Sequence, residues 1–527
     1  MNHQICIIGG GVGGLAAGIR LAAAGCDVTL LEKNERVGGK LNRWIVPHPN
    51  RPEDRPFTFD TGPSLLTLPL VFADLFAAAG EDIRQHLPIR RLDPVSRFIW
   101  RDGHHFELKA DPAALLEEVR RFAPSDVEGV RSLLERGRHI WELSGELFLS
   151  KSPEQALRGD GAFSPMNGLR MLTIPFRIGM FQKFSKLIDR HIRSPRLREI
   201  FYQYATYSGA SPFLAPATLA VIPHVELGMG GWYVEGGMYR LAEALAELAR
   251  RRGVKIETGT AVEEILIDSI AKHKGATGQV RGVRLAGGRE IAADAVIVNA
   301  DVPYAYRKLI SPQFRPGHDD AALQKLEPGG AGMVLLLGVE GTYPQLAHHT
   351  KFMPDDYQSD LRAMFETRTV PDDPCIYVCA STRSDSTQAP QGCENLFILC
   401  SAPPLDGKID WSTAGPAYRD KIVHTLEHRF GLTDLSKRIV VERPITPVDL
   451  QSLYNAHAGS IYGISSNGTK AAFLRPPNRD RDVRGLFFAG GATHPGGGLP
   501  LVALSGKIAS ELAGEYLAGI PHPELVQ

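Results

Sequence analysis

The chain has little cysteine and no excess of charge of either sign. Its 527 residues include six cysteines, and no two of them are spaced as C-x-x-C. We therefore expect reduced thiols, with neither a disulfide framework nor a metal site. The 59 basic residues balance 59 acidic ones. Because a chain without net charge has no overall field to attract nucleic acid, we expect no nucleic-acid partner.

Long apolar runs are also missing. No run reaches the roughly 18 residues that a membrane-spanning helix requires. The apolar stretch near the start, Ile5 to Ile8, is not preceded by the basic residues of a signal peptide. From these absences we expect a cytoplasmic protein, or one that attaches to a membrane surface from the cytoplasmic side.

What is present is a glycine motif within the first forty residues. The apolar Ile5 to Ile8 predicts a buried parallel strand, and glycines follow it in the spacing G-x-G-x-x-G. A helix is predicted from Leu15 to Ala24, and a second strand from Cys26 to Leu31 ends at the acidic Glu32. This order of strand, glycine turn, helix, strand and acid predicts a dinucleotide site, and the alternative is a glycine-rich turn without a ligand.

Each part of the motif has a physical role in holding a dinucleotide. Gly9 permits the tight turn, Gly11 lets the backbone approach a pyrophosphate, and Gly14 lets the helix pack closely on the strand. The helix N-terminus presents unpaired N–H groups and a partial positive charge to the phosphates. Glu32 accepts hydrogen bonds from ribose hydroxyls. The residues predicted to bind the cofactor here are Gly9, Gly11, Gly13, Gly14 and Glu32.

The segment after Glu32 distinguishes FAD from NAD. It continues as Lys33-Asn34-Glu35-Arg36-Val37-Gly38-Gly39-Lys40. This resembles the amine-oxidase and carotenoid-desaturase branch of the FAD flavoproteins, in which the segment wraps the pyrophosphate. The alternative is a solvated charged turn. The resemblance implies FAD as the cofactor, held in part by Lys33, Gly38, Gly39 and Lys40.

Two further segments resemble parts of flavoproteins that lie beside the cofactor. Phe57 to Ser64 predicts a short strand that ends in a Gly-Pro turn. It resembles the FDxGP segment of carotenoid desaturases, and a turn without function is the alternative. Trp232 to Met238 precedes a predicted helix and strand, and the family pattern places the backbone of Val262 against the adenine. The resemblance at Phe57 to Ser64 implies cofactor contacts from Gly62, Pro63 and Ser64.

The C-terminal region predicts a second glycine loop. Gly485 to Gly491 predicts a buried strand that runs into glycine, and a helix is predicted from Val502 to Leu517. A loop and a helix start of this kind direct backbone N–H groups at an electron-accepting group. Ala492 stands where many FAD enzymes carry an acid for the ribitol chain, so we expect backbone groups to suffice. The residues predicted at the cofactor here are Gly490, Gly491, Ala492 and Pro500.

The stretch from Phe163 to Ile188 predicts a basic amphipathic helix. It carries Arg170, Arg177, Lys183 and Lys186 and no acidic residue. This composition is typical of a helix that lies on an anionic membrane surface, and ordinary packing on the core is the alternative. The apolar face predicted by the helical spacing consists of Ile174, Ile178, Phe181, Phe184 and Ile188.

As a whole, the chain resembles the phytoene desaturase family of carotenoid biosynthesis. The motifs extend from Ile5 to Leu517; they include Phe473 to Arg479, and the most specific is the loop Thr493 to Pro500. The resemblance implies an α/β fold in which a Rossmann-type FAD-binding domain carries an inserted α+β substrate domain, as in amine oxidases and GDI-like proteins. The expected division is 1–90, 225–300 and 445–527 for the FAD-binding domain, and 91–224 and 301–444 for the substrate-binding, membrane-facing domain.

The resemblance also implies the reaction. FAD supplies a hydride acceptor for a C–C bond beside a polyene, and a weak base takes the proton. His494 is the candidate base, and a structural hydrogen bond within its loop is the alternative. The implied partners are an acyclic carotenoid, a membrane surface from which it is taken, and quinone or dioxygen as the electron acceptor. Gly497-Gly498-Leu499 departs from the usual H-P-G-A-G-I-P form, which leaves the particular carotenoid open.

Three other functions fit parts of the pattern. One is a related flavin carotenoid oxidase or an isomerase that uses reduced FAD, and another is an FAD amine oxidase. The third is a GDI-like lipid carrier that has lost the flavin. The intact glycines and Glu32 disfavour the carrier, while the basic stretch and the Thr493 to Pro500 loop disfavour the amine oxidase.

Overall fold

The structure is a computed structural model that describes residues 2–149, 151–152, 155, 168–273, 276–468 and 475–520. Residues 163–167 of the predicted basic helix lie outside the described residues, as does Phe473 of the C-terminal motif. The side chain of Arg170 is likewise not described.

A five-stranded parallel sheet forms the nucleotide-binding layer. Its central strand β1 pairs in parallel with β2 on one side and β13 on the other, and Ile8 is level with both Leu31 and Val298. The carboxyl ends of these three strands therefore meet at one edge, where open parallel sheets bind their ligands. In the order β20-β13-β1-β2-β9, the strands are β20 Leu486–Phe488, β13 Ala295–Val298, β1 Gln4–Ile8, β2 Asp27–Leu31 and β9 Lys255–Glu257.

A seven-stranded, mostly antiparallel sheet forms the second layer. Helix Trp411–Arg429 packs its buried side chains, among them Ile422 and Leu426, against this sheet. In the order β18-β14-β17-β16-β15-β6-β7, the strands are β18 Ile439–Ile445, β14 Ala331–Glu340, β17 Cys393–Ala402, β16 Ile376–Cys379, β15 His349–Phe352, β6 Ser96–Ile99 and β7 His105–Leu108.

The described residues also form three smaller sheets. A four-stranded sheet consists of β10 Val262–His273, β11 Ala276–Leu285, β12 Glu290–Ala292 and β19 Val483–Arg484. Two antiparallel pairs of strands consist of β3 Arg43–Val46 with β4 Phe57–Asp60 and β5 Ile89–Arg91 with β8 Trp232–Val234. The predicted α/β fold is confirmed, because a parallel nucleotide layer is interrupted by segments that build a separate sheet. The domain boundaries stay a prediction.

Helices cover both layers. Those of eight residues or more are α1 Val12–Ala23, α2 Pro69–Ala78, α3 Pro112–Phe122, α4 Val127–Leu149, α5 Gly168–Arg177, α6 Phe184–His191, α7 Pro195–Tyr202, α8 Tyr239–Arg251, α9 Trp411–Arg429, α10 Pro447–Tyr454 and α11 Leu499–Leu517. The first and last of them touch: a Cβ on Gly506 of α11 would lie 2.3 Å from the carbonyl oxygen of Gly13 in α1. None of the helices in the described ranges has the length and apolarity to cross a bilayer.

The predicted single helix from Phe163 to Ile188 is wrong. The described part forms α5 and α6 with a turn between them. Pro175 near the end of α5 cannot donate a backbone hydrogen bond, and Gly179 in the turn has a φ of +74°. Both features favour termination of the helix, so the spacing that predicted one apolar face does not persist.

The predicted apolar face is accordingly divided between core and surface. Ile178, Phe184 and Ile188 are at most 1% exposed and belong to the core. Phe181 is 64% exposed, as is Phe176 at 72%, and the two ring centroids are 5.1 Å apart. One part of the stretch therefore packs in the core, and the other part presents an aromatic pair on the surface.

Candidate active site

A cavity of about 550 Å³ opens at the carboxyl edge of β1, β2 and β13 and reaches the seven-stranded sheet. Its size is in the range of ligand sites. Of the residues predicted to bind the cofactor, Gly13 and Gly14 lie within α1 and do not line it. Those that do line it are Gly9, Gly11, Glu32, Lys33, Gly38, Gly39, Lys40, Gly62, Pro63, Ser64, Val262, Gly490, Gly491, Ala492 and Pro500.

Asn299 connects the two glycine loops. It directly follows β13, and its Nδ2 donates to the carbonyl oxygen of Gly9 at 3.1 Å. A Cβ on Gly11 would lie 2.9 Å from Asn299 Nδ2. A Cβ on Gly13 or Gly490 would lie 2.6 or 2.9 Å from Asn299 Oδ1. Asn299 was not among the site residues predicted from the sequence, although a polar side chain directly after a buried parallel strand is a signal for the ligand edge.

Glu32 fixes the glycine loop from the end of β2. Its Oε2 accepts a hydrogen bond from the N–H of Gly10 at 2.7 Å, and its Oε1 accepts one from the N–H of Asn34 at 2.9 Å. Each carboxylate oxygen has a further lone pair. Because Glu32 is 5% exposed and lines the cavity, it can hold the loop and accept ribose hydroxyls together.

The segment after Glu32 runs alongside the glycine loop, and its lysines are bound by the protein. The N–H of Gly38 donates to the carbonyl oxygen of Gly10 at 2.8 Å. Lys33 Nζ donates to the carbonyl oxygen of Ser452 at 2.9 Å, and Lys40 Nζ donates to that of Ile461 at 2.6 Å. Burial lowers the pKa of Lys40, and the nearby Asp301 carboxylate opposes this change. The lysines thus tie the cofactor segment to the region around residues 452–461.

Residues Gly62 to Ser64 connect the nucleotide side of the cavity to the seven-stranded sheet. Gly62 lies so close to the preceding segment that a Cβ would be 2.0 Å from the carbonyl oxygen of Lys40. Ser64 Oγ lies 2.6 Å from the hydroxyl oxygen of Tyr377 in β16. The polar contact continues, because the Tyr377 hydroxyl is 2.7 Å from Nδ1 of His349.

Asp60, in the same motif, caps a helix. Its carboxylate accepts hydrogen bonds from the N–H groups of Met238 and Tyr239, at 2.8 and 2.9 Å, where α8 begins. Burial raises the pKa of Asp60 to about 6, while these hydrogen bonds act in the opposite direction. A carboxylate at a helix N-terminus also interacts favourably with the helix dipole. The acid of this motif therefore positions the segment between Trp232 and Met238.

The C-terminal glycine loop is held by the segment around Arg475 and Asn478. Asn478 Nδ2 donates to the carbonyl oxygens of Phe488 and His494, at 3.1 and 2.9 Å. Arg475 Nη1 donates to the carbonyl oxygen of Gly491 at 3.2 Å, and burial lowers the pKa of Arg475 to about 10. These bonds explain why an arginine and an asparagine precede the loop at this spacing.

His494 is directed away from the cavity. Its Nε2 lies 3.0 Å from the carbonyl oxygen of Lys151, and the side chain is 8% exposed. The parts of its loop that line the cavity are Gly490 to Ala492 and Gly497 to Pro500. This placement favours the structural alternative over the predicted role as proton acceptor.

We expect His494→Ala to leave the chemistry nearly intact. Anaerobic flavin reduction by substrate should slow by less than about tenfold, because the ring does not face the reacting groups. The free energy of unfolding should fall by about 1–2 kcal/mol, the usual cost of a lost buried hydrogen bond. Stopped-flow absorbance and thermal melts measure the two effects. A loss of about 10²-fold in rate, with full cofactor content and normal stability, would instead identify His494 as the general base.

One buried group of side chains has ligand types that bind metals. The side chains of His348, His349 and Cys379 place potential ligand atoms within 4.8 Å of one another, in the part of the chain that the structure describes. His348 Nδ1 is 2.8 Å from the Ser384 hydroxyl oxygen. Of the three side chains, His349 lines the cavity. The absence of a metal stays a prediction from the sequence.

The cavity fits FAD by the groups that face it. The N-termini of α1 and α11 both lie in its wall, through Gly11 and Leu499, so two helix dipoles direct partial positive charge into it. Thr61 Oγ1 and Asp301 Oδ1 are buried in the same wall without a hydrogen-bond partner among the described residues. A phosphate-bearing dinucleotide with ribose and ribitol hydroxyls would satisfy both kinds of group.

Comparisons with known proteins agree with this geometry. The family model of flavin containing amine oxidoreductases matches residues 12–513. The chain is 35% identical to 4,4'-diapolycopene oxygenase of a Methylomonas species, over 97% of this chain and 98% of that protein. It is 36% identical to the zeta-carotene-forming phytoene desaturase of Myxococcus xanthus, over 97% and 93%. Cyclohexylamine oxidase of Brevibacterium oxydans shares the fold, with a TM-score of 0.59 at 17% identity over 98% of this chain and 100% of that one.

The family match extends from the start of α1 through the seven-stranded sheet to the C-terminal loop, so the likeness is not confined to the nucleotide layer. It also agrees with the resemblance predicted from the motifs, and it confirms a flavin as the cofactor; the dinucleotide motif makes that flavin FAD. The chain belongs to the family of flavin-containing amine oxidoreductases.

Proposed function

We propose that the protein is an FAD-dependent desaturase that acts on an acyclic carotenoid or a similar polyene. The observation that carries the proposal is the continuity of the cavity, which joins the cofactor residues to an apolar wall from the second layer. That wall includes Val334, Tyr357, Met364, Phe365, Phe397 and Leu399. Relatives named as a phytoene desaturase and as carotenoid oxygenases support a polyene substrate.

In this proposal, different residues of the chain would bind different parts of FAD and of the substrate. The Gly9 to Gly11 loop and the start of α1 hold the pyrophosphate, and Glu32 holds the ribose. The start of α11 at Leu499 stabilises negative charge near the flavin ring. Bound FAD supplies the hydride acceptor. The apolar wall aligns the polyene and excludes water from the reacting bond.

Anaerobic mixing with an acyclic carotenoid tests the proposal. We expect the visible flavin band to bleach, and the product to absorb at longer wavelength because its conjugation is extended. Quinone or dioxygen, added afterwards, should restore the band. Protein stripped of FAD is the control. Binding of the polyene without bleaching would contradict a desaturase and would favour an isomerase or a carrier.

We also propose that the surface around α5 and α6 docks on an anionic membrane. Phe176 and Phe181 form the exposed aromatic pair, and Lys183 and Lys186 beside them are exposed as well. Leu214 is also exposed, at 40%. It lies two positions after Pro212, whose carbonyl oxygen accepts a hydrogen bond from the N–H of Ser185 in α6. Aromatic anchors next to basic side chains are the combination that binds headgroups and the acyl boundary.

Charge reversal should release the protein from vesicles. Each basic side chain near an anionic surface contributes about 1 kcal/mol, so Lys183→Glu with Lys186→Glu should weaken sedimentation with anionic liposomes by well over tenfold.

Phe176→Ser with Phe181→Ser should have a similar effect. The matched control is Leu70→Ser on α2, which removes a side chain of equal exposure, 72%, elsewhere on the surface. FAD content should not change. Wild-type sedimentation of both double variants would contradict the docking surface.

A further inference from the structure

The cavity contains a group of polar side chains that a hydrocarbon substrate would not require. We call it the polar cluster; its members line the cavity and come from β6, from residues 203–208, from residues 224–228 and from β15. Five of them are at most 9% exposed as whole residues: Ser96, Gln203, Glu226, His349 and Lys351. The sixth is Tyr207.

The charges of the polar cluster are balanced. Lys351 Nζ donates to the side-chain oxygen of Gln203 and lies 5.2 Å from the ring centroid of Tyr207. The carboxylate of Glu226 accepts a hydrogen bond from the hydroxyl of Tyr204 at 2.9 Å. Burial lowers the pKa of Lys351 and raises that of Glu226, and the attraction between the two groups opposes both changes. One cation and one anion therefore compensate each other within an apolar wall.

Several polar atoms of the cluster nevertheless have no hydrogen-bond partner in the described part of the chain. Gln203 Nε2, Ser96 Oγ and His349 Nε2 are buried without a hydrogen bond among the described residues. All three residues line the cavity. Buried polar atoms in folded proteins are nearly always satisfied, by protein, water or ligand. A polyene hydrocarbon has no donor or acceptor, so its binding would leave these atoms unpaired.

We propose that the substrate carries a neutral oxygen function, a hydroxyl or carbonyl group, that binds to the polar cluster. The inference rests on the proposed function and narrows its substrate class. The Gln203 amide and the Ser96 hydroxyl donate to such an oxygen, and Glu226 accepts from a hydroxyl. A carboxylate is disfavoured, because it would add an uncompensated negative charge to a cluster that is already neutral. The polyene must then be oxygenated by an earlier reaction before it reaches this protein.

Equilibrium binding to the FAD-loaded protein tests this inference. The probes are an acyclic polyene hydrocarbon and the terminal alcohol and aldehyde of the same carbon skeleton, each followed by the shift of its absorption band. A site built to hydrogen-bond an oxygen discriminates strongly against an analogue that lacks it. We expect at least tenfold tighter binding of an oxygenated probe. Equal dissociation constants for all three probes would overturn the inference, and would mean that ordered water satisfies the cluster.

Substitutions in the polar cluster test whether it causes the tighter binding of an oxygenated probe. Lys351→Met with Glu226→Leu removes both charges together, and Gln203→Met removes only the neutral amide. Each should reduce the preference to below about threefold, while hydrocarbon binding changes by less than about threefold. The matched control is Lys325→Met with Glu128→Leu, two exposed residues outside the cavity, which should retain the full preference. If the double variant loses FAD, Gln203→Met decides, and an unchanged preference there overturns the inference.

The two proposals fail in different ways. Flavin bleaching reports on the desaturase function, and the ratio of dissociation constants reports on the polar cluster. Bleaching by all probes with equal affinities would contradict the oxygen function alone. Tight, cluster-dependent binding of the oxygenated probe without any bleaching would contradict the desaturase and leave the cluster as the binding site.

Discussion

Gly11→Val is expected to yield a folded but colourless protein. A Cβ at this position would lie 2.9 Å from Asn299 Nδ2, and the added methyl groups would extend into the space where the pyrophosphate approaches the backbone. The valine therefore collides with the side chain that connects both glycine loops, and it also covers the start of α1. We expect the FAD content after purification to fall below about a tenth of the wild-type value.

The control for this variant is Gly514→Val. Gly514 lies in α11, and a Cβ there has no neighbour within 4 Å among the described residues. The same substitution in open space should retain the flavin spectrum without loss of helix stability, because valine has a higher helix propensity than glycine. Circular dichroism of both variants separates loss of the cofactor from loss of the fold. A normal yellow spectrum in Gly11→Val would show that the pyrophosphate is bound elsewhere.

Gly497→Val is expected to stop flavin reduction while FAD stays bound. Gly497 lines the cavity, and a Cβ would lie 3.1 Å from Cδ1 of Tyr462. Because Tyr462 is itself part of the wall, the added methyl groups are forced toward the substrate side. We expect anaerobic bleaching by the polyene to slow by 10²-fold or more, the order of effect that misplacement of reacting groups by about 1 Å produces.

Retained cofactor makes this result interpretable. The pyrophosphate is expected at Gly9 to Gly11, away from the isoalloxazine ring of FAD, so the dissociation constant for FAD should change by less than about tenfold. Comparison with His494→Ala in the same loop distinguishes the effect of displacing the loop from the effect of losing the His494 side chain. If Gly497→Val bleached at the wild-type rate, the reactive end of the flavin would have to lie nearer Gly62 to Ser64.

The nucleotide half of the site could be predicted because its signal is local. Strand, glycine turn, helix, strand and acid follow one another between Ile5 and Glu32, and the contacts among them span few residues. The predicted helix start at Leu15 differs from the observed start at Val12, since glycines can occupy a first turn where helix propensity alone disfavours them. A local pattern likewise predicted the strand within Gly485 to Gly491, which the structure contains as β20.

The half of the site outside the nucleotide layer depends on contacts that the spacing of residues in the sequence does not encode. Gln203, Glu226 and Lys351 are distant along the chain, and only the packing of their segments brings them together. The role of Asn299 emerges from the strand register that places it between the two glycine loops. For His494 the residue type suggested a base, but the direction of the ring depends on the backbone of Lys151.

The basic stretch shows how two residues, Pro175 and Gly179, change an amphipathic pattern. The spacing from Ile174 to Ile188 produces a single apolar face only if the helix is unbroken over this range. Pro175 and Gly179 interrupt it, and the residues beyond the turn are rotated relative to those before. The apolar residues therefore face both the core and the solvent, which the pattern alone could not separate.

The contact between α1 and α11, with Asn299 joining the two glycine loops, has a consequence for biosynthesis. The cofactor site combines Gly9 and Gly11 with residues of the loop from Gly490 to Pro500, which are far apart along the chain. During translation, the nascent chain emerges with its first glycine turn long before the second glycine loop leaves the ribosome. FAD should therefore load only after the second loop has emerged, and stalled ribosome complexes that end before residue 485 should carry none. Cellular maturation would depend on a site whose two halves are synthesised at well-separated times.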